Sequence, residues 1–333
     1  MLVFVTLAAS IAKPAIGILF VIHANDKVTA RILGLTLVEL IGYSGLFWVQ
    51  MLRGRKFYSA KFWKYALLFN LPLIPHYLSQ TVLNNADRIM IERMTGAGNA
   101  GIYSLAYSVS LIMTLFNTTL AQTLSPWIYK KIKTKKITDI ASIAYITLIG
   151  IAAVNILLIA FAPEAVAVFA PKSYYDAIWV MPPVAMSVYF MYSYDLFAKF
   201  AFYYEKTQFI MVASIIGAVL NVILNYMFIG WFGYRAAGYT TLFCYIVYDI
   251  GHYFFMNKVC DEFCDGVRPY DLKTILTIST LFVLLGFILL FTYKHIILRY
   301  SVIVILFMII VIKRKSIVEM LRKIVEIKQL SRE

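Results

Sequence analysis

Ten apolar stretches, each close to the length needed to cross a lipid bilayer, divide this 333-residue chain almost from end to end. A helix needs about 20 mainly apolar residues to span the hydrocarbon core. Backbone amides in lipid must be paired within the segment itself, so each stretch is predicted to be a helix. The predicted spans are residues 2–22, 32–52, 65–83, 100–124, 140–162, 177–198, 209–232, 236–256, 274–293 and 296–312. The sequence therefore predicts an all-α polytopic membrane protein with about ten transmembrane helices.

The composition argues against a hidden soluble enzyme. Hydrophobic residues make up 62% of the chain and charged residues 14%, whereas soluble domains carry about 25% charged residues. The polar segments 53–64, 257–273 and 313–333 are too short to build a core of their own. No phosphate-binding loop or metalloprotease motif occurs, and Cys260 and Cys264 lack the second ligand pair of a zinc site. We therefore expect no catalytic residue, no metal and no cofactor.

Lys and Arg residues are distributed unevenly between the loops. The net charge is +14, and 22 of the 31 Lys and Arg residues fall into alternate inter-span segments and the C-terminal tail. The positive-inside rule places those segments in the cytoplasm. With an even number of spans, both termini are then cytoplasmic, in a multi-pass protein of the cell inner membrane. Cys260 and Cys264 lie in one of these segments, so an impermeant thiol reagent should reach them only after permeabilisation. Nucleic acid is not an expected partner, because its binders cluster their charge on one face.

Polar side chains recur at three- and four-residue steps in four predicted spans, which places them on one helical face in each. Within a membrane, such faces must meet protein or a water-filled cavity. Two interpretations stay open: a shared aqueous lumen, or hydrogen bonds between helices. The stripes are Tyr77, Gln80, Thr81, Asn84, Asp87 and Arg88 in the third span; Tyr103, Tyr107, Ser110, Thr114 and Asn117 in the fourth; Ser214, Gly217, Asn221 and Asn225 in the seventh; and Thr241, Tyr245, Tyr248, Asp249 and His252 in the eighth.

Ionisable residues inside the spans are costly, at about 2.5–3.5 kcal/mol each near the bilayer centre on insertion scales. Asp195 and Lys199 are four residues apart on one helical face, which suits either a structural or a functional ion pair. Lys13 has no partner one turn away, so it must meet a carboxylate from another helix, for example Glu39, or an anion in a cavity. A lone histidine is more often structural than a proton relay. The ionisable residues within the spans are Lys13, Glu39, Asp195, Asp249 and His252.

Two segments resemble a known family. Residues 71–107 read LPLIPHYLSQTVLNNADRIMIERMTGAGNAGIYSLAY, and residues 221–245 read NVILNYMFIGWFGYRAAGYTTLFCY. The first resembles a proline-bearing helix that ends in Asp-Arg and is followed by a helix opening with AGIYSLA. The second resembles a helix with paired Asn residues, a short Gly-bearing turn and a small-residue helix. Both are similar to the Wzx-type polysaccharide and O-antigen flippases of the multidrug/oligosaccharidyl-lipid/polysaccharide exporter superfamily.

This resemblance implies two pseudo-symmetric six-helix bundles around a central cavity, often with two further helices. Residues 1–52 would be the last two helices of a truncated N-terminal bundle whose first four helices are missing from the sequence. Residues 53–64 would be a cytoplasmic basic linker, residues 65–256 the complete C-terminal bundle, and residues 257–312 two additional transmembrane helices. Residues 313–333 are a basic amphipathic tail, which is predicted to form an interfacial helix or a short helix docked on protein.

The resemblance also implies a substrate, an undecaprenyl-diphosphate-linked oligosaccharide that is flipped from the cytoplasmic to the periplasmic leaflet for surface polysaccharide, O-antigen or lipopolysaccharide synthesis. Membrane lipids, a polysaccharide polymerase and glycosyltransferases would be further partners. The diphosphate needs cations, for which Lys13 and Arg88 are candidates. The sugars need aromatic rings and amides, which Tyr77, Tyr103, Tyr107, Asn117, Asn221 and Asn225 would supply.

Two alternatives to the flippase stay open. One is a cation-coupled multidrug exporter of the same superfamily, in which Asp87, Asp195 or Asp249 binds the cation or the drug. The other is a membrane scaffold for polysaccharide assembly that transports nothing. The charge distribution in the loops does not separate these functions from the flippase.

Overall fold

The structure is a computed structural model that describes residues 2–54, 58–312, 314–315 and 318. Regular secondary structure in this part of the chain is helical, which confirms the predicted all-α polytopic membrane fold. The helices are α1 (Leu2–His23), α2 (Lys27–Gly54), α3 (Ala60–Asn70), α4 (Leu73–Thr95), α5 (Ala97–Ser110), α6 (Met113–Lys133), α7 (Ile140–Ala160), α8 (Ala162–Phe169), α9 (Met181–Tyr203), α10 (Thr207–Phe232), α11 (Ala236–Phe263), α12 (Leu272–Thr292) and α13 (Ile296–Ile312). Short 3-10 helices at Ile137–Asp139 and Lys172–Trp179 precede α7 and α9. The predicted amphipathic helix of the tail falls almost entirely outside the described residues.

The chain divides into two compact units, residues 1–68 and residues 69–333, with the division inside α3. In the first unit, α1 and α2 form a hairpin of two packed helices. Gly17 and Gly34 allow the two backbones to approach closely, since a Cβ atom at Gly34 would lie only 3.2 Å from the Cα atom of Gly17. Small residues at such crossings are typical of helices that pack within membranes.

In the second unit, α9 is the central helix. Nearly all of its side chains are buried, and it packs against α5, α6, α7, α11 and α12. Helix α10 lies between α4 and α11, so α4, α10, α11 and α9 form a connected row of helices. The start of α11 comes close to α9, because a Cβ atom at Gly238 would lie 3.1 Å from Cγ of Pro183. This row brings together the polar stripes of three different spans.

The predicted third, fourth and sixth spans differ from the observed helices. The third span is broken at Leu71 and Pro72, between α3 and α4, because Pro72 and Pro75 lack the amide hydrogen that would continue the helical ladder. The fourth span is divided between α5 and α6. The sixth begins at Met181 rather than residue 177, with prolines in its first turn, where a missing amide hydrogen costs nothing.

Six helical segments in the described part of the chain are long and apolar enough to cross a membrane by length and composition alone. They are Phe4–His23, Lys27–Gly54, Ala97–Lys133, Ile137–Ala160, Thr207–Phe232 and Leu272–Thr292. Helices α4, α9, α11 and α13 overlap predicted spans but are not among the six. The first three are rich in polar and tyrosine residues, whereas α13 is apolar but short. The total of about ten spans therefore stays a prediction.

Ion pairs join the loops of the second unit at its two ends. At one end, Lys135 Nζ lies 2.9 Å from Asp265 Oδ2, and Lys206 Nζ lies 2.8 Å from Glu262 Oε1. The basic segments that follow α6, α9 and α11 therefore share this end. At the opposite end, the loops are joined by the pairs Arg235–Asp176 and Arg299–Glu164. The alternation of basic and less basic loops in the sequence thus corresponds to the two physical ends of the unit.

Candidate functional site

A buried carboxylate on α4 joins four helices of the second unit. Asp87 is 0% exposed, and its two oxygens accept hydrogen bonds from three other helices. Tyr103 OH on α5 donates to Oδ2 at 2.5 Å, and Asn225 Nδ2 on α10 donates to Oδ1 at 2.5 Å. Thr241 Oγ1 on α11 donates to Oδ2 at 2.7 Å. Each donor is neutral, so the site holds a carboxylate without a paired cation.

Further hydroxyl and amide groups extend this arrangement, which we call the Asp87 network (Asp87, Tyr103, Asn221, Asn225, Thr240 and Thr241). Asn225 Nδ2 also donates to Asn221 Oδ1 at 3.0 Å, which their four-residue spacing on α10 permits. Thr240 Oγ1 donates to Asn225 Oδ1. Carboxylate, amide and hydroxyl oxygens are the ligands that hard cations take. In this conformation they satisfy one another, so the predicted role of Asp87 in ion coupling stays a prediction.

A second group of hydrogen bonds is centred on the side chain of Asn84 on α4. Its Oδ1 atom accepts a hydrogen bond from Tyr107 OH at 2.9 Å and another from Tyr245 OH at 3.1 Å. Tyr107 and Tyr245 are almost fully buried. These contacts continue the interhelical bonding from the Asp87 network along α4, and they connect α5 with α11.

Arg88 follows Asp87 in sequence but points to different partners. Its guanidinium carbon lies 4.6 Å from the centroid of the Tyr107 ring, over the ring face. Its Nε atom is buried without a hydrogen-bond partner, and Arg88 makes no ion pair with any residue in the described ranges. Consecutive residues on a helix point about 100° apart. The structure therefore does not contain the local Asp87–Arg88 ion pair that adjacency in the sequence would suggest.

Helix α4 also carries an exposed polar stripe, which consists of Tyr77, Thr81, Asn85 and Arg88. Tyr77 is 61% exposed, Thr81 and Asn85 are exposed, and Arg88 is half-buried. The spacings of four, four and three residues place these side chains on one face of the helix. The sequence predicted Tyr77 and Arg88, but not Asn85, whose four-residue step from Thr81 was the available signal.

A third polar cluster lies nearer the start of α4 and joins His76, which was not predicted, to residues of three predicted polar stripes. His76 Nδ1 lies 2.5 Å from Ser214 Oγ on α10, and Ser214 Oγ lies 2.6 Å from Tyr248 OH on α11. Gln80 Nε2 donates to the same Tyr248 hydroxyl at 3.4 Å. His76, Gln80 and Asp87 share the buried side of α4, so the helical spacing of His76 from Gln80 was the signal for including it.

The remaining predicted residues of the second unit lie in separate places. Lys199 Nζ lies 2.8 Å from Asp195 Oδ2 on α9, as their four-residue spacing suggests. Asn117 on α6 donates through Nδ2 to the backbone oxygen of Val188 at 2.8 Å. Asp249 and His252 are buried on α11. None of these contacts decides whether the residue has a role in transport.

The first unit holds the other two predicted residues. Lys13 on α1 forms an ion pair with Glu39 on α2, so the lysine that lacked a partner on its own helix has one on the next. Both side chains remain partly exposed, at 31% for Lys13 and 57% for Glu39. A pair of opposite charges reduces the cost of placing either one in an apolar helix.

The two interpretations of the polar stripes therefore apply to different faces. Tyr103, Tyr107, Asn221 and Asn225 are buried in hydrogen bonds between helices, which leaves them no open cavity to line in this conformation. The exposed stripe on α4 has the opposite character, since its side chains point away from the packed interior. The predicted contact of all these residues with a substrate stays a prediction.

The predicted thiol-labelling behaviour needs a correction. Cys260 is 0% exposed and Cys264 is 4% exposed. The Sγ atom of Cys264 also lies 3.4 Å from the OH of Tyr204, the residue that follows α9. Both thiols are packed inside the protein, so a reagent would not reach them from either side of a membrane. The sequence pattern predicted the segment in which the two cysteines lie, but it did not predict that their side chains are buried.

Comparison with known proteins shows what part of the chain is similar to them. Residues 2–132 match the family described as polysaccharide biosynthesis protein. A protein of the Lsg locus of Haemophilus influenzae is 25% identical over 213 residues, which cover 60% of this chain and 52% of that protein. A membrane protein of the same organism is 21% identical over 227 residues, covering 65% of this chain and 55% of that protein. The chain thus spans about half the length of these curated relatives.

Among solved structures, a transporter of the multidrug/oligosaccharidyl-lipid/polysaccharide superfamily from Pyrococcus furiosus is 18% identical, with a TM-score of 0.47. The alignment covers 66% of this chain and 51% of that transporter. The polysaccharide biosynthesis match confirms the resemblance to polysaccharide flippases that the sequence motifs indicated. The chain is a multi-pass membrane protein.

Proposed function

We propose that this protein moves an undecaprenyl-diphosphate-linked oligosaccharide from the cytoplasmic to the periplasmic leaflet of the inner membrane. The product would be used for a surface polysaccharide such as O-antigen, beside a polymerase and glycosyltransferases. The match of residues 2–132 to the polysaccharide biosynthesis family supports a transport role in such a pathway.

The observation that carries this proposal is the exposed polar stripe on α4. Polar and ionisable side chains are costly to expose to the hydrocarbon core of a membrane, so this face is expected to border water or substrate. Arg88 ends the stripe as a cation with no ion pair in the described residues, and its planar guanidinium suits a diphosphate. Tyr77 begins the stripe with an exposed ring, which suits a sugar. The Arg88 cation and the Tyr77 ring therefore lie along one face of α4.

Deleting the gene in the source organism tests the proposal. We expect the loss of surface polysaccharide and the accumulation of its lipid-linked precursor, with both restored by the intact gene. Unchanged polysaccharide together with increased sensitivity to cationic drugs would favour a drug exporter instead. Loss of polysaccharide without precursor accumulation would indicate a scaffold that acts before the translocation step.

The proposed orientation has a direct test, since the native thiols are buried. Thr138 and Ser173 are exposed at opposite ends of the second unit, and each differs little from cysteine in size. In intact cells, an impermeant thiol reagent is expected to label Ser173→Cys and to label Thr138→Cys only after permeabilisation. The unsubstituted protein is the background control. Labelling of Thr138→Cys from outside would reverse the orientation.

A further inference from the structure

A groove runs between α10 and α11 on the surface of the second unit. Its volume is about 520 Å³, and its walls are mainly apolar. Phe232 and Phe243 on these walls are exposed, so the groove opens outwards rather than towards the packed interior. The lining also includes Leu224 of α10, Thr240 of α11 and Arg235 in the turn between the two helices. A groove with apolar walls and one cation at its end suits a hydrocarbon chain that carries a polar head group.

The depth of the groove in a membrane follows from the residues at its two ends. Trp231 and Tyr239 each lie four residues from Arg235 in the sequence and are exposed. Such aromatic residues are enriched where a membrane meets water. Leu224, at the other end, precedes Phe232 by eight residues on α10, which is about 12 Å along the helix axis. The groove therefore starts at the level of the lipid head groups and continues into the hydrocarbon region.

One residue of the groove belongs to the Asp87 network. Thr240 is 5% exposed, and its Oγ1 atom donates a hydrogen bond to Asn225 Oδ1. Asn225 in turn donates to Asp87. A chain that fills the groove would thus pack directly against this network. Close packing stabilises contacts between helices in lipid, so a filled groove should hold α10 and α11 together more firmly.

The mouth of the groove carries both a cation and an anion. Arg235 NH2 lies 2.8 Å from Asp176 Oδ2, and the two side chains are 44% and 53% exposed. This contact joins one nitrogen to one oxygen, whereas a guanidinium has five N–H donors and a carboxylate has two oxygens. Because both side chains are about half exposed, further donors of Arg235 and the second oxygen of Asp176 can be reached by a ligand.

This pair of charges distinguishes between lipid head groups. A phosphodiester accepts hydrogen bonds from a guanidinium, and a primary ammonium donates them to a carboxylate. Phosphatidylethanolamine carries both groups. Phosphatidylglycerol has no cation for Asp176, and the quaternary ammonium of phosphatidylcholine has no N–H donor. A diphosphate, with its higher negative charge, would meet a cation that Asp176 already partly neutralises.

We propose that the groove binds one molecule of phosphatidylethanolamine from the surrounding leaflet. One acyl chain lies between α10 and α11 and packs against Thr240. The phosphate binds Arg235, and the ammonium group binds Asp176. The bound lipid stabilises the packing of the two helices around the Asp87 network. This binding does not depend on the proposed function, so it can be tested without a transport assay.

Native mass spectrometry of the purified protein tests the choice of head group. The protein in detergent is titrated with phosphatidylethanolamine, phosphatidylcholine or phosphatidylglycerol of the same acyl composition. The first lipid is expected to bind about tenfold more tightly when it is phosphatidylethanolamine. Arg235→Gln and Asp176→Asn should each abolish this preference. Arg93→Gln should keep it, because Arg93 is an exposed cation beside Met94, which packs at Gly230 near the same end of α10, and it does not line the groove.

Two results of this titration would overturn the proposal. One is a wild-type protein that binds the three lipids equally well. The other is a preference for phosphatidylethanolamine that persists in both Arg235→Gln and Asp176→Asn, which would place the lipid elsewhere. Tighter binding of undecaprenyl diphosphate, lost in Arg235→Gln, would assign the groove to a polyprenyl lipid and also contradict the proposal.

Thermal unfolding tests the position of the acyl chain. Added phosphatidylethanolamine should raise the unfolding temperature of the wild type, because the lipid binds the folded protein. Phe243→Ala should remove most of this rise, since it takes away a wall of the groove. Phe254→Ala is the matched control, because Phe254 is also an exposed phenylalanine of α11 but does not line the groove. Unfolding without added lipid shows whether each variant is folded. An equal rise in Phe243→Ala and in the wild type would contradict a chain bound in the groove.

Discussion

Replacing Asp87 by Ala is expected to cause a large loss of stability in the second unit. The change removes the common acceptor of Tyr103, Asn225 and Thr241, so three donors from three helices are left buried without a partner. Hydrogen bonds between membrane helices contribute about 0.6–2 kcal/mol each, which gives a total of about 2–6 kcal/mol. The measurement is a denaturation curve in mixed detergent micelles. At the upper end of this range, little folded protein would be recovered.

Two further variants separate this effect from a general loss of charge. Asp261 on α11 is paired with Arg268 at the exposed end of the helix, so Asp261→Ala should change stability little. Asp87→Asn keeps the size of the side chain and one acceptor oxygen, so it should be more stable than Asp87→Ala. If Asp87→Asn folds but does not transport, the carboxylate has a role beyond structure. An Asp87→Ala protein as stable as the wild type would contradict the described network.

Reversing the charge of Arg88 is expected to abolish surface polysaccharide synthesis. Under the proposed function, losing the contact of the Arg88 charge with the diphosphate would cost about 2 kcal/mol or more, which corresponds to a decrease of roughly 30-fold or more. Arg88→Lys keeps the charge but not the bidentate geometry, so it should retain partial activity. Arg93→Glu on the same helix is the matched control, because Arg93 is exposed and lies outside the stripe. Complementation of a deletion strain, at equal protein levels, provides the measurement.

Exchanging Asp87 and Arg88 distinguishes substrate binding from a local ion pair. The Asp87→Arg, Arg88→Asp double variant would restore a pair that depended only on opposite charges. In the structure, Asp87 bonds to neutral donors while Arg88 lies over Tyr107, so the exchange places a cation among three donors. We expect no recovery of activity. Recovery to wild-type levels would show that the two residues act on each other.

The sequence predicted the helices well, because apolar length and helical spacing are local properties. The four-residue spacing of Asp195 and Lys199 predicted their ion pair. Lys13 has no partner on its own helix, which suggested Glu39 on the next helix as its partner, and the structure contains this pair. The convergence of Tyr103, Asn225 and Thr241 on Asp87 was not predicted, because it depends on how four helices pack together. The burial of the cysteines was missed for the same reason.

The separation of α4 into two polar faces was also beyond the sequence analysis. A stripe of polar residues at helical spacing identifies a face, but only packing decides whether that face is buried. His76, Gln80 and Asp87 face the interior of the second unit, whereas Tyr77, Thr81 and Asn85 are exposed. The break at Leu71 and Pro72 separates α4 from α3, so α4 packs as a helix of its own.

The leaflet distribution of the lipid-linked oligosaccharide tests the central claim most directly. Right-side-out inner-membrane vesicles are prepared from cells with the intact gene, with the gene deleted, and with Arg88→Glu or Arg93→Glu. An impermeant glycosidase then digests only the oligosaccharide in the outer leaflet of the vesicles. We predict rapid digestion with the intact gene and with Arg93→Glu, and protection of the oligosaccharide in the deletion strain and with Arg88→Glu. Equal digestion in all four preparations would contradict a flippase.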